Sequence, residues 1–121
     1  MQCGVAIVDD EVDLVDLFSK MLQLKGIPVT FTAYEGHDAV RQYEEHNPKP
    51  CIVLMDYRLP TINGVETMKE MLQRDSKAKF VFISADASVK EEALKSGAST
   101  FLVKPVNMKD VIDAVEKLKK D

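Results

Sequence analysis

Apolar positions along this chain fall into two alternating patterns. Four short runs, Val5-Ala6-Ile7-Val8, Cys51-Ile52-Val53-Leu54-Met55, Phe80-Val81-Phe82-Ile83 and Phe101-Leu102-Val103, are unbroken by polar residues. They predict strands at about 4–8, 51–55, 80–83 and 101–103 that are buried on both faces. The segment from Pro28 to Ala33 alternates and is β-branched, and its proline predicts an edge strand. Between the strands, apolar residues recur at helical spacing. Helices are predicted over 12–25 (Leu14, Leu17, Phe18, Met21, Leu22), 36–46 (Ala39, Val40, Tyr43), 65–74 (Val65, Met68, Met71, Leu72), near 88–96, and over 107–120 (Met108, Val111, Ile112, Val115, Leu118). Gly26 with Pro28, Asn47-Pro48 and Gly97 supply stops.

Five alternations of strand and helix, without a linker or repeat, imply an α/β fold with a parallel sheet covered on both faces. Right-handed crossovers narrow this to a doubly wound, flavodoxin-like sheet of five strands in the order 2-1-3-4-5 with five helices. Residues 1–121 are expected to form a single domain. In that strand order the first and third strands are neighbours at the switch point, where ligands bind at the carboxyl edge.

Charge excludes some functions. A net charge of −4 argues against nucleic acid as a direct partner of this domain, and Lys117, Lys119 and Lys120 read as the cationic last turn of a helix. No apolar run reaches the length of a membrane span, and the N-terminus lacks the pattern of a secretion signal. A cytoplasmic location is therefore expected. There, Cys3 and Cys51, which open neighbouring strands, should be buried thiols rather than a disulfide or a metal pair.

The chemistry lies at the strand ends. The first run closes on Asp9-Asp10, the third strand on Asp56, the fourth on Ser84 and the fifth on Lys104-Pro105. Each residue alone has a structural reading: a helix cap, a turn acid, a strand-end hydroxyl and a solvated charge. Together, at one edge of one sheet, they read differently. Two carboxylates ~4 Å apart repel by about 4 kcal/mol at an effective dielectric near 20, so three need a cation or raised pKa values. A few hard oxygen ligands suit Mg²⁺. Mg²⁺ beside a carboxylate, a hydroxyl and an ammonium makes a phosphoryl site, with one carboxylate as the in-line nucleophile.

Asp9-Asp10, Asp56, Ser84 and Lys104-Pro105, in this order and spacing, resemble the receiver domain of two-component response regulators of the chemotaxis-regulator type. The segment Asp56-Tyr57-Arg58-Leu59-Pro60, Gly64, and Gly97-Ala98 extend the similarity along the whole chain. The resemblance implies that Asp56 is the phosphoacceptor. It implies that Asp10 and Asp56 bind Mg²⁺ directly, Asp9 through water, and the Arg58 backbone carbonyl as a further ligand. Ser84 and Lys104 would contact phosphoryl oxygens, the peptide before Pro105 would be cis, and Phe101 would be the switch aromatic, turning inward as Ser84 is drawn toward the phosphoryl group. The donor would be a histidine kinase or a histidine phosphotransfer protein, and the output an unspecified protein that binds the face of the fourth helix, fifth strand and fifth helix. The last strand and helix lack the acidic pair and arginines with which the winged-helix transcription factors dimerise. A monomer or weak dimer is therefore expected, either a stand-alone regulator or one cut before a linker.

Two finer expectations concern the rim. Val12 and Val15 are expected to be exposed beside the acidic site, with Leu14, Leu17, Phe18 and Met21 turned inward, forming a hydrophobic dock for the kinase. Arg58 and Asp86, each two residues beyond a site residue, are expected to tune the lifetime of the acyl phosphate. Three rival functions are weaker. A haloacid-dehalogenase-type, Asp-nucleophile Mg²⁺ phosphatase requires a second Asp two positions after the nucleophile, but Glu11 and Val12 stand two after Asp9 and Asp10. A flavodoxin-like cofactor binder needs a Gly-rich loop, and none follows a strand. A phosphorylation-independent interaction module of the same fold would not need the full set of site residues.

Overall fold

The computed structural model of the chain describes residues 3–120. Its elements alternate: β1 (Val5–Val8), α1 (Val12–Leu24), β2 (Val29–Ala33), α2 (Gly36–Glu45), β3 (Ile52–Met55), α3 (Gly64–Arg74), β4 (Lys79–Ser84), a 3₁₀ turn (Ala87–Val89) running into α4 (Lys90–Lys95), β5 (Thr100–Val103) and α5 (Met108–Lys119). The five strands form one parallel sheet in the order β2-β1-β3-β4-β5. That is the expected order, with the Pro28 strand at an edge.

The unbroken apolar runs are explained by burial on both sides. Ala6, Val8, Val53, Met55, Phe80 and Phe82 pack in one layer with Tyr43, Met68 and Met71 of α2 and α3. Val5, Ile7, Ile52, Leu54, Val81 and Ile83 pack in the other with α1 and α5. Asn63 and Asn107 start α3 and α5 by accepting the N–H groups of Glu66 and Asp110 at 2.9 and 2.8 Å, each satisfying an amide that the helix leaves without a partner. The fourth helix differs most from its expected extent: its first turn, capped by Asp86, is 3₁₀ and only Lys90–Lys95 is α.

Helix α1 corrects one expectation. Val15, Phe18 and Leu22 are its buried residues, Leu14 is only partly buried, and Leu17 faces solvent. Val15 is 1% exposed and belongs to the core, whereas Val12 is 51% exposed. The helix is rich enough in apolar residues to allow more than one inward stripe, and the i, i+3, i+7 set 15–18–22 is the one that meets the sheet and α5.

Register and turns fix the functional edge. Val8 pairs with Met55, Met55 with Phe82, and Ser84 with Val103, so the strands end nearly level. Just past the strands the backbone ladder continues: Asp9 N–H donates to the Ala33 carbonyl, Asp56 N–H to Val8, and Lys104 N–H to Ser84, at 2.9–3.1 Å. The turn after β3 is held against the start of α3, where Gly64 N–H donates to the Tyr57 carbonyl at 2.7 Å. A Cβ on Gly64 would fall 2.0 Å from the Asp56 carbonyl oxygen, so this approach needs glycine. At the opposite edge Cys3 and Cys51 are free, half-buried thiols; burial, and then Cys3 beside it, pushes the Cys51 thiol up to about 12. Among the described residues, no helix is long and apolar enough to cross a membrane.

Candidate phosphoryl-transfer site

The level strand ends bring Asp9, Asp56, Ser84 and Lys104 together as the spacing implied. Asp9, Asp56 and Ser84 are buried, at 2%, 6% and 1% exposure. The Lys104 ammonium reaches in from the end of β5 and donates to Asp9 at 2.9 Å, to Asp56 at 3.2 Å and to Glu11 at 2.8 Å. The peptide joining it to Pro105 is cis. Ser84 Oγ accepts from Asp86 N–H at 3.1 Å, and it lines, with Asp10, Glu11, Asp56, Arg58, Ala85 and Lys104, a concavity of about 210 Å³. A larger depression of about 510 Å³ lies at the opposite sheet edge around Cys3, Pro48 and Cys51, away from these acids, and size does not mark the site here.

One ammonium among three carboxylates leaves the cluster short of positive charge. Burial raises the Asp9 carboxyl above the ordinary carboxylate range, against the Glu11 N–H and Lys104, which lower it. Burial, followed by the neighbouring Asp9 charge, lifts Asp56 to about 6, with Lys104 again opposing. The lysine itself is raised: burial disfavours its charged form, but its bonds to Glu11 and Asp9 and the Asp56 and Asp9 charges outweigh that.

Asp9, Glu11 and Asp56 each offer a carboxylate oxygen within 4.8 Å of the others. These are hard donors of the kind Mg²⁺ takes, and the lysine ammonium already seated among them shows that the pocket accommodates a cation. Asp9 and Asp56, with Asp10 lining the same concavity, therefore offer donors that fit the ion the sequence implied, while Glu11 meets the ammonium from the open side. Asp10 is exposed and lines the same concavity from its rim, outside that close group.

Other expected residues divide. Phe101 is already inward, 8% exposed and stacked on Phe82 with centroids 6.2 Å apart and planes 9° from parallel. Arg58 and Asp86 meet across the mouth of the pocket at 3.3 Å. Asp86 also accepts from the N–H and hydroxyl of Ser88, which, with a smaller contribution from Arg58 and against burial, hold its carboxyl below the usual range. Val12 is exposed beside the site, and Val15 is not. Glu11 is the residue the sequence reading passed over. Its only signal was its place directly after two site acids.

Comparison with known proteins agrees with this geometry. The family model for the response regulator receiver domain matches residues 5–116. The chemotaxis protein CheY of Thermotoga maritima is 36% identical over 118 residues, covering 96% of this chain and 97% of that one. The CheY of Bacillus subtilis is 33% identical, covering 93% and 94%. Among solved structures, the CheX–CheY–BeF₃–Mg²⁺ complex of Borrelia burgdorferi superposes with a TM-score of 0.89 at 30% identity, covering 96% of this chain and 88% of that one.

Proposed function

This chain belongs to the response regulator receiver family, and from that premise we propose that Asp56 accepts the phosphoryl group, from the phosphohistidine of a sensor kinase or a phosphotransfer protein. A carboxylate oxygen of Asp56 attacks phosphorus, the P–O bond forms as the P–N bond breaks, and the imidazole leaves with the electron pair. The observation that carries this reading is the Lys104 ammonium bonded to both Asp9 and Asp56 inside a pocket at the carboxyl edge of β1 and β3. Lys104 and the Ser84 hydroxyl would hold phosphoryl oxygens as charge spreads over them. Asp10, Asp56, Asp9 and the Arg58 carbonyl are the groups we assign to Mg²⁺, which when bound neutralises charge on the transferring group. The Borrelia CheY bound with BeF₃ and Mg²⁺ supports the assignment. Incubation with acetyl phosphate and Mg²⁺ should give a single phosphate adduct by intact mass in the wild type and none in Asp56→Asn. An adduct on both proteins, or on neither, contradicts it.

Output is assigned to the face formed by α4, β5 and α5. Phosphorylation replaces the single carboxylate charge of Asp56 with a group carrying about two negative charges, to which Ser84 and Lys104 are the nearest responsive groups. Leu94 and Val103 stand exposed on that face, and stacked Phe101 lies behind it in the inward position. Two states in equilibrium, with phosphorylation favouring one, suffice for the switch. A cytoplasmic site of action belongs to the same reading.

Two rim features complete it. To the Arg58–Asp86 pair, 3.3 Å apart, we assign control of the path by which water reaches the acyl phosphate. Replacing both residues with alanine should change the dephosphorylation rate severalfold, followed by loss of the mass adduct after the donor is removed; an unchanged rate removes the idea. Val12, exposed beside the acids, is the part of the proposed kinase dock that remains. Val12→Glu should slow transfer from the phosphorylated kinase while leaving labelling by acetyl phosphate intact. Equal loss from both donors, or no loss from either, would sink the docking role.

A further inference from the structure

Lys104 has three N–H donors, and in this structure all three are engaged, by Asp9, Asp56 and Glu11. None is left for an incoming phosphoryl oxygen, so phosphorylation has to release one. Asp9 is buried, and its carboxylate is tied down a second time, accepting the Glu11 N–H at 2.9 Å. Asp56 is the group that changes chemically. Glu11 differs from both, because its side chain is 59% exposed and water can replace the lysine at little cost.

We propose that Glu11 is a positioning residue that holds the Lys104 ammonium at the rim of the pocket before phosphorylation and yields it to the phosphoryl group afterwards. This rests on the reading of Asp56 as phosphoacceptor and goes beyond it, since it names the group with which the phosphoryl donor competes. The geometry favours release of Glu11 over the other two. Its bond to Lys104 is the shortest of the three, at 2.8 Å, yet it joins the pocket from the open side, at the N-cap of α1, where its side chain makes no capping bond. Glu11 is therefore free to swing into solvent without unfolding a turn.

Two measurements on wild type, Glu11→Gln and Glu11→Asp test this. The first is the side-chain ammonium resonance of Lys104 in ¹⁵N-labelled, Mg²⁺-free protein. The second is the dependence of the phosphorylation rate on acetyl phosphate at saturating Mg²⁺, with Mg²⁺ affinity measured separately by calorimetry. Asp keeps the charge but is one methylene too short to reach Lys104 from the same backbone position. The resonance should move in both variants, and the half-saturating acetyl phosphate concentration should fall roughly two- to fivefold in both, the worth of one exposed ion pair, with the maximal rate nearly unchanged. If Glu11→Asp behaves as wild type while Glu11→Gln does not, Glu11 acts only by repelling the donor, and the proposal is overturned. It is equally overturned by an unmoved resonance, or by Mg²⁺ affinity that falls in Glu11→Gln while the donor dependence stays the same, which would make Glu11 a cation ligand. A wild type that takes no phosphate fails the reading of Asp56 instead, and the resonance still reports whether Glu11 holds the lysine.

Discussion

Replacing Lys104 with methionine should cost the Mg²⁺-free protein about 3–5 kcal/mol of stability at neutral pH, the range for removing one partner of a buried ion pair. Methionine keeps most of the aliphatic stem, so little packing is lost. What is lost is the only ammonium, among the described residues, within hydrogen-bond reach of Asp9, Glu11 and Asp56. The buried pair of carboxylates is then left facing itself, without the compensation that makes its burial tolerable. Two conditions should restore much of the deficit: acid, which protonates the carboxylates, and Mg²⁺, which takes over the lysine's role as counter-charge. Urea titration at pH 7.5, at pH 5 and with Mg²⁺ reads all three. A variant as stable as wild type at pH 7.5 without divalent ions would show that the carboxylates do not depend on Lys104.

Asp56→Asn should act in the opposite direction, stabilising the Mg²⁺-free protein by about 1–3 kcal/mol at neutral pH, since one pKa unit corresponds to about 1.4 kcal/mol. Asp56 titrates near 6, against a reference of 3.8, because burial and then the Asp9 charge disfavour its ionised form. The folded state thus binds the proton more tightly than the unfolded state does. Stability linked to that proton is fully present below about pH 3.8 and is lost as pH rises through about 6. Asparagine cannot ionise and escapes this loss, although its weaker bond to Lys104 offsets part of the gain. The difference in unfolding free energy between variant and wild type should therefore widen between pH 4 and pH 6 and flatten above. Mg²⁺ should stabilise the wild type much more than the variant. A difference that is independent of pH across this window would mean that Asp56 is not the strained acid.

These opposite signs come from one feature: more buried negative charge than one lysine can neutralise. That feature was legible in the sequence, because an acid closing an unbroken apolar run has to emerge at the edge of a two-sided sheet. The strand order follows from crossover handedness and chain length, and that order alone sets Asp9 beside Asp56. The phase of α1 was not legible in the same way. Val12, Leu14, Val15, Leu17, Phe18, Met21, Leu22 and Leu24 are all apolar, so periodicity admits more than one inward stripe, and only contact with the sheet and α5 selects Val15, Phe18 and Leu22. Glu11 was missed for a related reason. A polar residue at a helix start has no period to place it, and its tie to Lys104 spans 93 positions. The Arg58–Asp86 pair was anticipated as flanking residues, while their direct contact depends on a loop path that the sequence does not encode in any repeat.

If Asp56 is the acceptor we propose, phosphorus is delivered to that one carboxylate and to no other. Borohydride reduces an acyl phosphate to an alcohol and so converts a phosphorylated aspartate into homoserine at the same position. Treating the protein with acetyl phosphate and Mg²⁺, reducing it and mapping the peptides by mass spectrometry should find homoserine at position 56, with Asp9, Asp10 and Glu11 unchanged. Homoserine at position 9 or 10, or its absence from every position while the adduct is present in the intact protein, would contradict the account.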